Sequence, residues 1–235
     1  MRILITGSSS GLGAGLASFY IDEGEQVYGI SRRNNADLKE LKNFNFLRQD
    51  LTKFGEVEKN IPQFLKGIES LDLVILNAGI LNHVKDLKDT TLEEIQNTMN
   101  VNVWANKILI DVLFEHIQKI KQVVAISSGA SKSGSRGWNA YALSKATLNM
   151  LIKLYASEFT DTHFCALAPG LIDTGMQEYV YHLPFNDKYP IIEKLKAARG
   201  TDQMPTPNEA ALIISAAIKK VVNYKSGSFV DVREI

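Results

Sequence analysis

A tyrosine and a lysine four positions apart, Tyr141 and Lys145, are the residues whose types and spacing most strongly suggest chemistry in this sequence. On a helix, positions i and i+4 share a face, so the two side chains would meet at one site. A free phenol has a pKa near ~10 and releases its proton poorly at neutral pH. A neighbouring ammonium stabilises the phenolate and lowers that pKa. The pair therefore predicts a phenol that gives its proton to a carbonyl oxygen while hydride reaches the carbon.

Ser128 adds a third polar group to this predicted site. It lies thirteen residues before Tyr141, at the end of an apolar run typical of a strand. Open α/β sheets bind ligands at the carboxyl ends of their strands. A hydroxyl there would hydrogen-bond the substrate oxygen and fix its position. The alternative is a tyrosine–lysine pair on an ordinary surface helix, since this spacing is often met by chance.

A turn rich in glycine and serine follows the first apolar run and precedes the first helical pattern, with the sequence Thr6-Gly7-Ser8-Ser9-Ser10-Gly11-Leu12-Gly13. Glycines let the backbone approach a ligand. A helix N-terminus presents unpaired N–H groups and a partial positive charge, which suit a pyrophosphate. We predict cofactor contacts from Gly7, Ser9, Ser10 and Leu12. A turn without a ligand is the alternative.

The end of the second apolar run indicates which dinucleotide binds. Enzymes that prefer NAD tend to carry an acid near this point, which accepts hydrogen bonds from the ribose hydroxyls. This chain has Ser31, Arg32 and Arg33 instead. Two guanidiniums match a 2′-phosphate, whereas an acid would repel it. We therefore predict NADP(H) as the cofactor, and solvated loop arginines are the alternative.

Two further strand ends supply predicted cofactor contacts. Asp50, followed by Leu51, is positioned to accept a hydrogen bond from an adenine amino group. Asn77, Ala78 and Gly79 end the fourth predicted strand and would pack against the cofactor. Each is weak evidence alone, and they gain weight from the glycine turn before them.

The elements that must position these residues alternate along the chain. Apolar runs predict seven strands, at residues 3–6, 27–31, 44–48, 71–76, 123–127, 164–168 and 228–232. Most are continuous, as in strands buried on both faces of a parallel sheet. Helical patterns lie between them, at about residues 12–20, 57–68, 91–118, 138–159 and 208–222. This alternation predicts an α/β fold with a doubly wound parallel sheet, built as a single Rossmann-type domain over residues 1–235.

One long segment departs from the alternation, at about residues 171–207 between the sixth strand and the last helix. An insertion of this length in a compact domain is usually functional, so we predict a substrate lid with a short helix near residues 191–199. The apolar side chains of this segment would close over an aromatic substrate. Alternatively, they would pack on the rest of the domain or on a partner subunit. Trp138 would line the substrate pocket or simply pack.

Composition excludes several classes of function. The formal net charge is zero, which argues against nucleic acid or an anionic membrane as the main partner. The four histidines show no metal-ligand spacing, so no metal site is predicted, and the single cysteine, Cys165, lies in an apolar stretch. The chain enters a strand directly after Met1, and no run approaches the ~18 apolar residues that a bilayer span needs. We expect a cytoplasmic protein.

Together these motifs resemble the short-chain dehydrogenase/reductase family over nearly the whole chain. The matching segments are the turn at 6–13, Asn-Ala-Gly at 77–79, the Ser128, Tyr141 and Lys145 set, and Pro-Gly at 169–170. The resemblance implies that Pro169, Gly170, Ile172 and Thr174 contact the nicotinamide side, and that Lys145 also reaches the cofactor ribose.

The resemblance also implies a fourth catalytic residue, an asparagine in the family's long fourth helix, which corresponds to the pattern at about residues 91–118. The helix kinks at this asparagine, which holds a water linked to the lysine. Two asparagines are candidates. The family pattern fits Asn102 better, and Asn100 is the alternative.

Within that family, the sequence around residues 127–141 and 168–177 is similar to bacterial benzil reductases and to sepiapterin reductases. This implies NADPH-dependent reduction of a ketone, aldehyde or vicinal dicarbonyl, with a bulky carbonyl compound as the small-molecule partner. A non-catalytic NADP(H)-binding redox sensor is the alternative. A nucleotide-sugar epimerase or dehydratase would need a longer C-terminal substrate domain. The short tail after the last strand puts a tetramer in doubt. We expect a homodimer through the family's fourth and fifth helices, which correspond to the patterns at about residues 91–118 and 138–159.

Overall fold

The computed structural model describes residues 1–235, and a parallel sheet of seven strands lies at its centre. The strands are β1 (Arg2–Thr6), β2 (Gln26–Ser31), β3 (Phe44–Arg48), β4 (Leu73–Leu76), β5 (Gln122–Ile126), β6 (His163–Ala168) and β7 (Ser228–Asp231). Their spatial order is β3-β2-β1-β4-β5-β6-β7, and all neighbouring pairs are parallel. The chain therefore winds outward in both directions from β1 and β4, which creates a crevice at their carboxyl ends.

Nine α-helices accompany the sheet. They are α1 (Gly11–Asp22), α2 (Phe54–Phe64), α3 (Leu92–Met99), α4 (Ala105–His116), α5 (Ala130–Ser133), α6 (Asn139–Glu158), α7 (Gly175–Tyr181), α8 (Pro190–Ala198) and α9 (Pro207–Val221). No helix combines the length and the apolar character needed to cross a bilayer.

Successive residues of the central strand β1 separate two apolar layers, because side chains alternate between the faces of a strand. Ile3 and Ile5 pack with the layer that contains α1 and α9. Leu4 packs with the opposite layer, which contains α2, α4 and α6. Both layers are fully buried at these positions. This explains why the strands read as continuous apolar runs, and the predicted doubly wound α/β fold is confirmed.

The long helix predicted over residues 91–118 is interrupted. Its start is as predicted, because Thr91 and Glu94 form a capping box at the N-terminus of α3. Residues Asn100–Trp104 then adopt a π-helix before α4 continues to His116. A π-helix widens the hydrogen-bonding pattern to i→i+5 and is frequent at functional sites. Apolar periodicity cannot reveal it, since both halves keep a buried face.

Two other boundaries differ from the predictions. The fourth strand starts at Leu73, and the earlier part of its apolar run, Ser70–Leu71, pairs instead with Lys119–Ile120 as a separate two-stranded ladder. The segment at 171–207 contains α7 as well as the expected helix α8. Two helices make it a folded layer over one edge of the sheet.

This helical segment packs through a small apolar cluster of its own. Trp138, from the turn before α6, lies at its centre with Val180 of α7 and Ile192 and Leu195 of α8. The indole is 9 % exposed, and its ring centroid lies 6.2 Å from that of Tyr141. Trp138 therefore packs beneath the helical segment and also borders Tyr141, so the two expectations for it are compatible.

Candidate active site

The predicted catalytic residues converge at the carboxyl end of β5. Ser128 follows that strand, while Tyr141 and Lys145 extend from the first two turns of α6. Lys145 is 4 % exposed. Its ammonium donates a 2.7 Å hydrogen bond to the carbonyl oxygen of Ile126 and lies 5.8 Å from the centre of the Tyr141 ring. The structure therefore brings the three side chains to one place.

The burial of this place changes its acid–base behaviour. Removal of water disfavours the charged form of each group. Burial lowers the pKa of Lys145 to about 8. Burial raises the pKa of Tyr141, and the Ser128 side chain opposes that rise by hydrogen bonding. The phenol therefore stays protonated at neutral pH, as a proton donor requires.

The hydroxyl of Ser128 is oriented by its own loop. Its oxygen accepts a 3.1 Å hydrogen bond from the backbone N–H of Ala130. A serine hydroxyl has one proton and two acceptor positions. With one acceptor position occupied from the backbone, the proton is directed toward the Tyr141 phenol, where a substrate oxygen would accept it in place of the phenol.

Asn102 occupies the π-helix and is fully buried. Its side chain accepts a 2.8 Å hydrogen bond from the Ile80 N–H and donates to the Ile80 carbonyl at 3.0 Å. It also donates to the Ser144 hydroxyl at 2.9 Å. Ser144 precedes Lys145, so this one amide joins the widened helix, the loop after β4 and the helix that carries the lysine.

Gly79 shows how closely these elements approach. A Cβ atom at this position would lie 3.3 Å from Oδ1 of Asn102 and 3.6 Å from Nζ of Lys145. The other candidate asparagine, Asn100, begins the same π-helix, and its side chain makes no hydrogen bond. The geometry therefore favours Asn102 over Asn100 as the asparagine connected to the lysine.

The glycine turn packs directly on the Asn77 to Gly79 segment. Thr6 Oγ1 accepts 3.0 Å hydrogen bonds from the N–H groups of Asn77 and Ala78. Gly7 adopts φ +72°, and a Cβ atom there would lie 2.9 Å from Nδ2 of Asn77. At Gly13 the same atom would lie 2.3 Å from the Gly7 carbonyl oxygen. Side chains are thus excluded at Gly7 and Gly13, where the backbone of the turn packs closely on itself and on Asn77.

The N-terminus of α1 lies within this turn. Its N-cap, Ser10, makes no side-chain capping bond, and the first turn holds no acid. The neighbouring Ser8 hydroxyl is buried without a partner. Thr174 lies above the turn, since a Cβ atom on Gly11 would be 3.2 Å from its methyl group. Free donors, positive helix polarity and a glycine-lined surface fit a pyrophosphate.

The end of β2 presents positive charge next to this turn. Arg32 and Arg33 are exposed and form no ion pair with any carboxylate. The Ser31 hydroxyl is buried and donates to the Arg33 carbonyl at 2.7 Å, which fixes the start of the loop. Asn35 from this loop donates to the Ser9 carbonyl at 3.4 Å, so the arginine loop and the glycine turn are adjacent.

The remaining predicted cofactor residues lie at the same edge of the sheet. Asp50 follows β3 and accepts hydrogen bonds from the N–H and hydroxyl of Thr52, which lower the pKa of its carboxyl. Leu51 and Ile172 are buried, and Gly170 adopts φ +77° directly after Pro169. All these positions follow the carboxyl ends of β3 and β6, as the predicted topology requires.

Sequence reasoning missed two asparagines that hold the first turn of α6. Asn82 Oδ1 accepts a 2.9 Å hydrogen bond from the backbone N–H of Tyr141. Asn139 donates to the carbonyl oxygens of His83 and Lys85, each at 3.1 Å, and its side chain also contacts Asn82. An asparagine at the start of a helix signals a cap. No local signal shows that its partner lies more than fifty residues away.

A doubly wound sheet with a glycine turn after β1 and a tyrosine–lysine pair beside β5 defines a Rossmann-type protein. The family model for short chain dehydrogenases matches residues 1–182 of this sequence. The chain therefore belongs to the short chain dehydrogenase family, and it is an oxidoreductase by that membership.

Individual relatives agree with this placement. The chain is 29 % identical over 228 residues to a benzil reductase ((S)-benzoin forming) of Bacillus cereus, covering 90 % of this chain and 91 % of that protein. It is 33 % identical over 181 residues to an uncharacterized oxidoreductase of Schizosaccharomyces pombe, covering 74 % and 72 %. The fold resembles the crystal structure of a short chain dehydrogenase/reductase from Saccharomyces cerevisiae, with a TM-score of 0.84, 23 % identity and coverage of 98 % and 95 %.

The hydrogen bonds of the π-helix lead to a prediction that separates the two asparagines. Asn102→Ala leaves the partly buried N–H and C=O of Ile80 and the buried Ser144 hydroxyl without the Asn102 side chain as partner, so we expect the free energy of unfolding to fall by about 2 kcal/mol. Asn100→Ala removes no hydrogen bond and should change it by less than about 0.5 kcal/mol. Urea unfolding followed by circular dichroism measures both. Equal losses of unfolding free energy in the two variants would contradict the assignment of these hydrogen bonds to Asn102.

Proposed function

We propose that this protein is an NADPH-dependent carbonyl reductase in which Tyr141 is the proton donor. The observation that carries the proposal is the convergence of Ser128, Tyr141 and Lys145 at a buried strand end beside the glycine turn. A protein that only binds a dinucleotide has no need for a partly buried phenol with a buried lysine beside it. Bound NADPH would supply the hydride.

The protein's own groups perform the proton chemistry. The Ser128 hydroxyl donates to the substrate oxygen and holds it in front of the Tyr141 phenol. Tyr141 transfers its proton to that oxygen as negative charge develops on it. The Lys145 ammonium stabilises the resulting phenolate, which offsets the rise in phenol pKa that burial causes. Asn102 holds the π-helix and Ser144 in place, and Ser144 fixes the turn that presents the lysine.

Cofactor binding is divided among the strand ends. The pyrophosphate would be held by the backbone amides of Ser9, Ser10 and Leu12 and by the backbone at Gly7. Thr174 would close over it. The remaining contacts would come from Asp50 and Leu51 at the adenine, and from Asn77, Ala78, Gly79, Pro169, Gly170 and Ile172 toward the nicotinamide. Lys145 would reach the adjacent ribose. Arg32 and Arg33 would bind the 2′-phosphate, because two guanidiniums without an ion-pair partner favour a dianion, and Ser31 would hold their loop through its hydrogen bond to the Arg33 carbonyl.

The substrate is a bulky ketone, aldehyde or vicinal dicarbonyl. This proposal draws on the benzil reductase of Bacillus cereus as a relative. It is also supported by an aromatic neighbour of Tyr141, because the ring centroid of Trp138 lies 6.2 Å from that of Tyr141. The segment at 171–207 acts as a lid, and all 235 residues form one working unit.

We also propose a homodimer through α4 and α6. Both helices carry exposed apolar side chains, which are Trp104 at the N-cap of α4 and Leu143, Met150 and Leu154 of α6. An exposed apolar patch of this kind is typical of a subunit interface.

The proposed activity is tested by a carbonyl panel that follows NADPH absorbance, with benzil-like diketones and pterins included. Wild-type protein should oxidise NADPH with at least one aromatic ketone or diketone. Tyr141→Phe should bind NADPH with unchanged affinity and lose turnover by at least about a hundredfold, because the acid is gone. Undiminished turnover in this variant would remove Tyr141 as the proton donor. Absence of NADPH oxidation across the whole panel would favour the redox-sensor alternative.

The arginine loop predicts cofactor preference. Arg32→Asp should weaken NADPH binding by at least about tenfold, because one charge-assisted contact is lost and a repulsive charge is added. NADH, which lacks the 2′-phosphate, should lose much less affinity. Lys42→Asp is a matched control, since the exposed Lys42 lies before the amino end of β3, away from the carboxyl ends of the strands. Fluorescence titration with both dinucleotides measures the effects, and an equal loss for NADPH and NADH would contradict the assignment.

The lowered pKa of Lys145 predicts the pH dependence of reduction. The lysine is charged below its pKa of about 8 and neutral above it. Phenolate stabilisation therefore weakens as the pH rises through that value, and kcat/KM for reduction should fall across pH 7 to 9. Lys145→Arg should be slower but independent of pH in this window, because a guanidinium stays charged. A wild-type profile that is flat to pH 9.5 would disprove this role for the ammonium.

A further inference from the structure

A third polar residue, Asn149, lies on the face of α6 that carries Tyr141 and Lys145, two turns after the former and one turn after the latter. The three side chains reach three consecutive residues at the end of β5. Tyr141 interacts with the Ser128 side chain, Lys145 donates to the Ile126 carbonyl, and Asn149 accepts from the hydroxyl between them, that of Ser127. The first two belong to the proposed proton chemistry, and the third has no assigned role.

Asn149 holds residues 127–131, here called the serine loop, from both sides. Its Oδ1 accepts from the Ser127 hydroxyl. Its Nδ2 donates a 2.9 Å hydrogen bond to the Ser131 hydroxyl, which in turn donates to the carbonyl oxygen of Ser128 at 2.7 Å. The side chain thus connects to residues before and after Ser128 and, through Ser131, to the backbone of Ser128 itself.

The direction of every proton in this chain is determined. The single proton of the Ser131 hydroxyl goes to the Ser128 carbonyl, so its oxygen must accept from Asn149. The amide nitrogen therefore faces Ser131, and the amide oxygen faces Ser127. An aspartate has no proton for Ser131, and an alanine has neither group. Only an amide satisfies both hydroxyls.

Burial makes the arrangement costly to lose. Ser127 is 2 % exposed, so without Asn149 its hydroxyl has no access to water. A buried hydroxyl without a partner is strongly unfavourable, and the loop would shift to satisfy it. Ser128 lies between the two bonded positions, so such a shift would move its hydroxyl relative to Tyr141.

We propose that Asn149 is a positioning residue that sets the Ser128 hydroxyl against the Tyr141 phenol. The inference rests on the proposed reductase function, since it assigns Asn149 a role in the same site. Asn149 acts only through the serine loop, because its own side chain bonds to Ser127 and Ser131 and not to Tyr141 or Lys145.

A double-mutant cycle tests the proposal with the best substrate of the carbonyl panel. Asn149→Ala should lower kcat about tenfold, because a small displacement of a reacting group slows the chemical step, while the Kd of NADPH stays within about twofold. In the Ser128→Ala background the same change should lower kcat by less than about twofold, because the group that Asn149 positions is already absent. Equal effects in both backgrounds would overturn the proposal.

Two further variants separate positioning from general stability. Ser157→Ala removes an exposed hydroxyl near the end of the same helix and should leave kcat unchanged. Asn149→Asp keeps the acceptor for Ser127 but puts a charge opposite the Ser131 oxygen, so it should lose kcat as Asn149→Ala does. If Asn149→Ala does not fold, Ser131→Ala breaks the chain at one link and should give a smaller loss that also disappears with Ser128→Ala.

The outcomes distinguish the two proposals. An inactive wild-type protein would remove the reductase function and this role with it. An active wild type with full kcat in Asn149→Ala and Ser131→Ala would leave the reductase intact and refute only the positioning role.

Discussion

The structure depends on keeping an ammonium in a place where water does not reach. Lys145 has no carboxylate partner, and its one protein hydrogen bond goes to the Ile126 carbonyl. Burying a charge without an opposite charge costs several kcal/mol, which the lowered pKa of Lys145 reflects. The surrounding apolar layers offset that cost. No carboxylate competes for this cation. Its electrostatic attraction therefore acts mainly on any negative charge that develops on the neighbouring phenol.

The long helix after β4 is adapted to this lysine. The π-helix places the Asn102 amide so that it bonds both to the Ile80 backbone and to Ser144. Gly79 completes the adaptation, because a side chain there would press against the Asn102 amide and the ammonium. A helix irregularity and a missing side chain thus serve one requirement, which is close approach without loss of hydrogen bonds.

How much of this follows from the sequence depends on the range of the interactions. The strands could be predicted because Ile3, Leu4 and Ile5 must all be apolar when both faces of a strand are buried. The convergence of Ser128, Tyr141 and Lys145 could be predicted because it needs only a strand end and one helical face. Apolar periodicity could not predict the π-helix or α7, since neither changes the local pattern of apolar residues, and only the family resemblance indicated a kink at the asparagine.

The asparagines around the serine and tyrosine were equally beyond prediction. Asn82 and Asn149 act on residues distant in the chain, and an asparagine alone does not identify its partner. The roles of all the site residues stay predictions until the variants are measured.

The loop after β4 adds a constraint on the lid. Within it, Asn82 holds the N–H of Tyr141, and the next two residues contact the Tyr179 hydroxyl of α7 through the His83 ring and the Val84 N–H. Two ion pairs fix the rest of the loop, between Lys85 and Glu94 and between Asp86 and Arg136. Opening of the proposed lid at 171–207 would break the Tyr179 contacts, which lie one residue away from Asn82, the group that holds the N–H of Tyr141. The two ion pairs restrain the same loop at other residues, so the proposed lid and Tyr141 share one support.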